Sequence, residues 1–124
     1  MKLDQLITVV KGTLLNPKST HSREIKGGCG ADLMSDVLAS VQPEAVLVTG
    51  LTNPQVVRTA QMADVAEIVF VRGKIPPAET INLARDERIP LITTPFGMFE
   101  VCGRLRKAGL PSLENPVTNG DNPL

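Results

Sequence analysis

The sequence predicts an α/β domain in three layers, with a mostly parallel sheet between two layers of helices. Three continuous apolar runs lie in the second half of the chain, at residues 45–49, 67–71 and 89–93. Unbroken runs rich in β-branched residues are typical of strands buried on both faces, as in parallel sheets. Helical patterns alternate with the runs on short connections, which favours a β-α-β-α-β-α core with right-handed crossovers.

Helical signals stand between and after these runs. The first helix follows Asn53 as a candidate cap and has Pro54 at its first position. Pro77 opens the second helix, and the third has Pro95 at its first position and ends at Gly109. The inward faces of the three helices are expected to hold Val56, Val57, Ala60 and Ala63; Ile81 and Ala84; and Phe99, Cys102, Leu105 and Ala108.

An N-terminal helix and a glycine-rich segment precede this core. Apolar residues at positions 3, 6, 7 and 10 predict a helix that ends at Gly12, and residues 13–15 are prone to form a strand. Turn or bulge geometry is the favoured interpretation of Gly27, Gly28 and Gly30, and close approach of the backbone to a ligand or another chain is the alternative. Asp32 is a candidate cap for a further helix with apolar positions 33, 34, 37, 38 and 41.

The length of 124 residues fits one domain. We place the folded domain at residues 1–109, where the periodic patterns end. Residues 110–124 contain three prolines and three asparagines without periodicity, so they predict an extended or flexible tail.

Charge and composition argue against nucleic-acid and membrane partners. Thirteen basic side chains balance thirteen acidic ones, which leaves no broad basic field. The three Phe, with no Tyr or Trp, offer little surface for stacking on bases. The N-terminus does not resemble a signal peptide, and no run approaches the ~20 apolar residues of a membrane helix. We therefore expect a cytoplasmic protein whose near-zero net charge eases self-association.

The ends of the predicted strands carry the candidate binding residues. Ligands of open parallel sheets bind beyond the carboxyl ends of the strands, and each loop there leads into a helix N-terminus that favours an anion. Arg72 and Lys74 add positive charge, and threonine hydroxyls add donors. Ordinary caps and turns require the same residue types, and that interpretation stays open. The candidate ligand-binding residues here are Thr49, Gly50, Thr52, Asn53, Arg72, Gly73, Lys74, Thr93, Thr94 and Pro95.

No catalytic or metal-binding set can be recognised, and no cofactor is expected. His21 is the only histidine and lies in a polar loop, where a surface role is favoured. Cys29 and Cys102 lack metal or redox spacing, so inert small apolar residues are favoured. Asp32 and Asp36 lie four residues apart, and a cap with a solvated face is favoured over a metal site.

Two stretches of the chain carry short motifs in a defined order. Arg-Glu-Ile-Lys-Gly-Gly at 23–28 is followed by Asp-Leu-Met-Ser-Asp-Val at 32–37, and Thr-Thr-Pro-Phe at 93–96 precedes Phe99-Glu100 and Gly103-Arg104-Leu105. Together they resemble the DRTGG domain, over about residues 2–109. Ser22 and Lys26 stand where the family's name implies an acid and a threonine, although Lys26 would strengthen an anion contact. Lys26, Gly27 and Gly28 therefore join the candidate ligand-binding residues.

The resemblance implies regulation rather than catalysis. DRTGG domains are similar to the N-terminal domain of HPr kinase/phosphorylase and occur beside CBS domains or before phosphotransacetylase domains. With the anion-ready loops, this favours a sensor that binds a nucleotide- or phosphate-like ligand, as a homodimer. The alternative is an interaction subunit, without its own ligand, of a larger metabolic or hydrogenase-associated redox complex. An enzyme that uses Cys29 or His21 is least favoured, since nothing pairs either group with an acid or base.

Overall fold

The computed structural model describes residues 1–17, 23–119 and 122–123, and these residues contain five helices around one five-stranded sheet. The helices are α1 (Leu3–Val10), α2 (Met34–Ser40), α3 (Pro54–Met62), α4 (Ala78–Asp86) and α5 (Met98–Lys107). The strands of the sheet are β1 (Thr13–Leu14), β2 (Gly27–Gly30), β3 (Ala45–Thr49), β4 (Glu67–Phe70) and β5 (Leu91–Thr93). A separate hairpin joins β6 (Thr118–Asn119) and β7 (Asn122–Pro123).

The strands lie in the order β1-β5-β4-β3-β2. Strands β2 to β5 are parallel neighbours, and only β1 in this sheet is antiparallel, paired with β5. Val48 is opposite Val69, and Val69 is opposite Ile92, so the three apolar runs form the centre of the sheet. The predicted mostly parallel sheet is confirmed.

Each face of the sheet has its own apolar core. Because successive side chains of a strand point to opposite faces, Leu47 and Ile68 pack with residues of α2, α3 and α4. Val46 and Val48 pack on the other side with residues of α1 and α5. The predicted three-layer α/β class is therefore confirmed.

The glycine-rich segment is a strand rather than a turn or bulge. Gly27 to Gly30 pair in parallel with Ala45 to Val48, and the favoured interpretation of these residues was wrong. The reason is close packing: a Cβ on Gly30 would lie 3.2 Å from Cys102 Sγ of α5. Glycine lets a helix and a neighbouring chain segment approach this strand closely.

Two predicted helix starts also differ. Helix α2 has Leu33 at its N-cap and α5 has Gly97, without a side-chain cap in either case. Asp32 is therefore not the cap of α2. Helix α5 begins at Met98 rather than at the predicted Pro95, because residues 95–97 lie beside the loop that follows β4. Asn53 does occupy the N-cap of α3 before Pro54, but its side chain makes no capping hydrogen bond.

The buried residues of α5 are Val101 and Leu105. Leu105 was predicted to lie inward, whereas the predicted Phe99 and Ala108 are exposed and Cys102 is half-buried. Phe99 lies on the opposite side of the helix and is 94% exposed. Similarly, Leu38 of α2 was expected to be buried but is exposed. The buried side chains of each helix lie on one face, Val101 and Leu105 in α5 and Met34 and Val37 in α2.

Residues 110–115, here called the edge segment, follow α5 along the free edge of β2. Leu110 is buried, the Gly28 N–H donates to the Pro111 carbonyl at 2.9 Å, and the Leu113 N–H donates to the Gly28 carbonyl at 2.9 Å. The edge segment thus satisfies the backbone of an edge strand, which would otherwise be open to pairing. A domain boundary at residue 109 stays a prediction.

Glu67, the first residue of β4, is an acid that the protein buries almost completely. Its two carboxylate oxygens have no hydrogen-bond partner among the described residues. Burial raises the pKa of Glu67 to about 8, against a smaller lowering by the α-amino group. The protonated, neutral form is therefore the one that the folded protein favours.

We expect Gly27→Ala to destabilise the domain by about 1–3 kcal/mol, because its Cβ would lie 2.5 Å from the Pro111 carbonyl oxygen and the Leu113 side chain. Gly28→Ala is the matched control, since its nearest neighbour would be 3.4 Å away. Urea unfolding of both variants measures the difference. Equal losses of stability would contradict close packing of the edge segment on Gly27.

We expect Glu67→Gln to remove a fall in stability between about pH 4.5 and pH 8. In that window the unfolded chain loses the Glu67 proton while the folded protein keeps it. The contribution of Glu67 to stability is therefore fully present below about pH 4.5 and is lost as the pH rises toward 8. Each unit between the two pKa values contributes ~1.4 kcal/mol, so the variant should gain on the wild type by a few kcal/mol. Urea unfolding at several pH values measures this gain, and parallel pH profiles would contradict the burial of an unpaired carboxyl.

Candidate functional site

Because β2, β3, β4 and β5 are parallel, their carboxyl ends meet at one edge of the sheet. We call this region the carboxyl edge; it comprises the loops at residues 31–33, 50–53, 71–77 and 94–97. The four loops lead into the N-termini of α2, α3, α4 and α5, respectively. Most residues that sequence analysis proposed for ligand binding lie here.

Gly50 lies between a carboxylate and an ammonium group. Its N–H donates to Asp32 Oδ1 at 2.7 Å, and Lys74 Nζ donates to its carbonyl at 2.9 Å. Thr49 Oγ1 also donates to Asp32 Oδ1, at 3.1 Å. A Cβ on Gly50 would lie 3.2 Å from Lys74 Nζ and 3.5 Å from Asp32 Oδ1. The loop after β3 is thus held between the loops after β2 and β4, with little space for a side chain at Gly50.

The loop after β4 has an unusual backbone. Arg72 and Gly73 both have positive φ, 61° and 66°. A left-handed conformation costs a non-glycine residue about 1 kcal/mol, so neighbouring contacts must maintain it at Arg72. The Arg72 N–H donates to the Phe96 carbonyl and the Gly73 N–H to the Thr94 carbonyl, both at 2.7 Å. These bonds join the β4 loop to the β5 loop.

The side chain of Arg72 lies at the start of α5. Its Nη2 is 3.7 Å from the position that a Cβ on Gly97, the N-cap of α5, would occupy. The first N–H groups of a helix carry partial positive charge, and Arg72 adds a full one. Within the described part of the chain, neither Arg72 nor Lys74 forms an ion pair. An anion would stabilise this arrangement.

The threonines of the carboxyl edge hold the loops in place. Thr93 Oγ1 donates to the Lys74 carbonyl at 2.7 Å, and Thr94 Oγ1 donates to the Val10 carbonyl at 2.7 Å. The Thr52 carbonyl accepts from Thr80 Oγ1 at 2.8 Å. The hydroxyl protons of Thr49, Thr93 and Thr94 are therefore donated within the protein, which supports the cap-and-turn interpretation of these residues. The charged groups and free backbone N–H groups are what a ligand would meet.

Lys26, Gly27 and Gly28 do not join this cluster. Lys26 precedes β2, at the amino end of the sheet, where Lys26 Nζ pairs with Glu44 Oε1 at 3.3 Å. Gly27 and Gly28 contact the edge segment. The glycines thus let a backbone approach closely, and in this structure that backbone is the protein's own.

Asp32 is a site residue that sequence reasoning missed. It was interpreted as a helix cap because the glycines before it hid a strand, and glycine is depleted in strands. Had residues 27–30 been recognised as a parallel strand, Asp32 would have been placed at its carboxyl end. The position of Asp32 at the end of a strand, rather than its residue type, would have identified it as a site residue.

The remaining candidate groups carry little chemistry. Burial raises the pKa of the Cys29 thiol to about 12 and also raises that of Cys102, so both favour the thiol over the reactive thiolate. Among the described residues no cluster of three or more His, Cys, Asp or Glu side chains could hold a metal ion. No helix in the same residues is long and apolar enough to cross a membrane. His21 lies outside the described residues.

Comparison with known proteins identifies the family. Residues 5–108 match the model of the DRTGG domain, and the chain therefore belongs to the DRTGG domain family. A similar solved structure is that of the CBS and DRTGG domains of the regulatory region of Clostridium perfringens pyrophosphatase, complexed with the activator diadenosine tetraphosphate. It superposes with a TM-score of 0.69 and 20% identity over 88% of this chain, which shows a shared fold, and this chain covers 47% of that chain. No curated protein matches the sequence.

We expect Asp32→Ala to destabilise the domain by about 1 kcal/mol, because it removes the acceptor of the hydrogen bonds from Gly50 and Thr49. Asp36→Ala is the control, since Asp36 is an exposed acid of α2 whose carboxylate makes no hydrogen bond among the described residues. Hydrogen exchange at Gly50 should also become faster in Asp32→Ala alone. Unchanged protection at Gly50 would show that Asp32 does not hold the loop.

Proposed function

We propose that this DRTGG domain is a non-catalytic regulatory module that binds a nucleotide- or phosphate-like anion at the carboxyl edge and acts as a homodimer. The observation that carries the proposal is the position of Arg72. Its guanidinium lies beside the N-cap of α5 without an ion pair in the described residues. A helix N-terminus and an arginine that face the same space form a strong anion site.

The charges of the carboxyl edge also suggest where the anion would lie. Asp32, on the β2 side, would repel a phosphate, and its Oδ1 is already hydrogen-bonded to Gly50 and Thr49. Lys74 Nζ lies between that carboxylate and the β4 loop. We therefore place the phosphate between Arg72 and Gly97, within reach of Lys74, and leave the β2 side for uncharged polar groups of the ligand.

The similar solved structure supports regulation by a ligand. It is a regulatory region of an enzyme, complexed with a nucleotide activator. That complex contains both CBS and DRTGG domains, and the nucleotide is a ligand of the region as a whole. In that protein, a domain of the same fold belongs to a region that regulates an enzyme.

A non-catalytic role is supported by the state of the candidate nucleophiles. Burial is the main cause that raises the pKa values of Cys29 and Cys102, and the charge of Glu114 raises both further. Neither environment activates a thiol for attack. Arg72 and Lys74 are suited to binding and orienting an anion.

We expect nucleotides or phosphorylated metabolites to raise the unfolding temperature, because a ligand that binds only the folded state stabilises it by roughly 3 kcal/mol at a hundredfold excess over Kd. The probes are ATP, ADP, AMP, diadenosine tetraphosphate, acetyl phosphate and inorganic phosphate at millimolar concentration. The shift should be lost in Arg72→Gln and reduced in Lys74→Ala.

Arg88→Gln is the matched control for Arg72→Gln. Arg88 is also an exposed arginine with positive φ, 58°, but it follows α4 at the amino end of the sheet. A shift that Arg72→Gln retains would place the ligand elsewhere. No shift with any probe would contradict the anion site and favour an interaction subunit without a ligand.

A further inference from the structure

The outer face of α5 carries an apolar side chain that the domain does not bury. Phe99 is 94% exposed, more than any other large apolar residue in the described part of the chain. One helical turn later, Gly103 has no atom within 4 Å of the position of a Cβ. The exposed Phe99 ring therefore lies next to a position without a side chain, Gly103, on the same face of the helix.

A groove accompanies this face. It has a volume of about 490 Å³ and runs between the end of α1 and α5, past Val9, Gly103, Lys107 and Ala108. The groove is open at Gly103 because that residue has no side chain. Its walls include the Arg104 side chain, which is held in place by Glu100 at 2.8 Å and stacks on Phe96 with the guanidinium carbon 4.2 Å from the ring centre.

We propose that this face binds the same face of a second copy of the chain, with the two α5 helices antiparallel about a two-fold axis at Gly103. This names the contact surface of the homodimer proposed above and rests on that part of the proposal. Gly103 lets the two helices approach closely at the axis. Phe99, four residues before the axis, then meets the side chain of Lys107 of the second copy, four residues after it. Lys107 lines the groove.

The charges of α5 favour the antiparallel arrangement. The acid Glu100 lies in its first turn, and the bases Arg104, Arg106 and Lys107 lie in its last turn. With the axis at Gly103, Glu100 of each copy lies on the same flank of the contact as Lys107 of the other, so the acid faces a base. A parallel arrangement would place the basic ends together, as well as the like ends of the two helix dipoles. An isologous interface of this kind is the commonest form of dimer.

The first test is a dilution series of the whole chain by sedimentation velocity, for the wild type, Phe99→Lys and Met62→Lys. Met62 is the matched control, since it is another exposed apolar residue, 64% exposed, but lies on α3. We expect a wild-type dimer that dissociates on dilution, at least a tenfold weaker dimer in Phe99→Lys, and an unchanged dimer in Met62→Lys. Circular dichroism and unfolding temperature confirm that each variant is folded.

A charge exchange tests the orientation. Lys107→Glu should weaken the dimer because it places a carboxylate opposite Glu100 of the second copy, and the double variant Glu100→Lys/Lys107→Glu should restore part of the affinity. Glu100→Lys is not used alone, because it also breaks the pair of Glu100 with Arg104 in the same helix. In a parallel dimer Lys107 would face Lys107 of the second copy, so Lys107→Glu would exchange one like-charge contact for another and would create no new repulsion. Restoration in the double variant therefore supports the antiparallel arrangement, and further weakening there would overturn it.

The outcomes separate this inference from the proposed function. A wild-type monomer at every concentration would overturn both the α5 contact and the homodimer. A wild-type dimer that Phe99→Lys leaves unchanged would overturn the α5 contact and retain the homodimer. The anion site is tested separately, by the loss of the ligand-induced rise in unfolding temperature in Arg72→Gln.

Discussion

The fold depends on a parallel sheet that must be buried on both faces. Val46 and Val48 point to one side and Leu47 to the other, so the second side needs helices of its own. The crossovers supply α2, α3 and α4 to the first side, and the second is covered by α1 and α5. Because α5 follows β5, it necessarily begins at the carboxyl edge, where the other strand ends meet. The requirement to cover the sheet thus places a helix N-terminus beside Arg72.

Much of this could be predicted from the sequence. The central strands could be recognised because Ala45–Thr49 and its two counterparts are almost entirely apolar and do not alternate with polar residues, as is typical of strands buried on both faces. Their order along the chain then implied the parallel sheet and the loops at its carboxyl end. The charged candidates Arg72 and Lys74 follow directly from that topology, and the structure brings them near Gly50 and Gly97.

What the sequence did not reveal depends on contacts between distant segments. Gly27 to Gly30 form a strand because residues 110–115 and α5 pack against them, and no local pattern contains that information. Asp32 was misassigned for the same reason. The exposure of Phe99 follows from which face of α5 meets the sheet, and that is fixed by Val101 and Leu105 together. Residue types predicted the structure of a segment well where the pattern of that segment alone decided its burial. They predicted it less well where burial depended on a contact with a segment distant in the sequence.

The two proposals meet on one helix. The guanidinium of Arg72 lies at the N-cap of α5, and Phe99 lies two residues further along, in its first turn. An anion that orders this turn would also fix the side chain that the second copy contacts. If both sites act on the same turn, the coupling must be reciprocal, so that the dimer binds the anion more tightly than the monomer does. A ligand influences a partner only by favouring one state of the contact surface over another, so a domain of the proposed regulatory kind needs such a coupling.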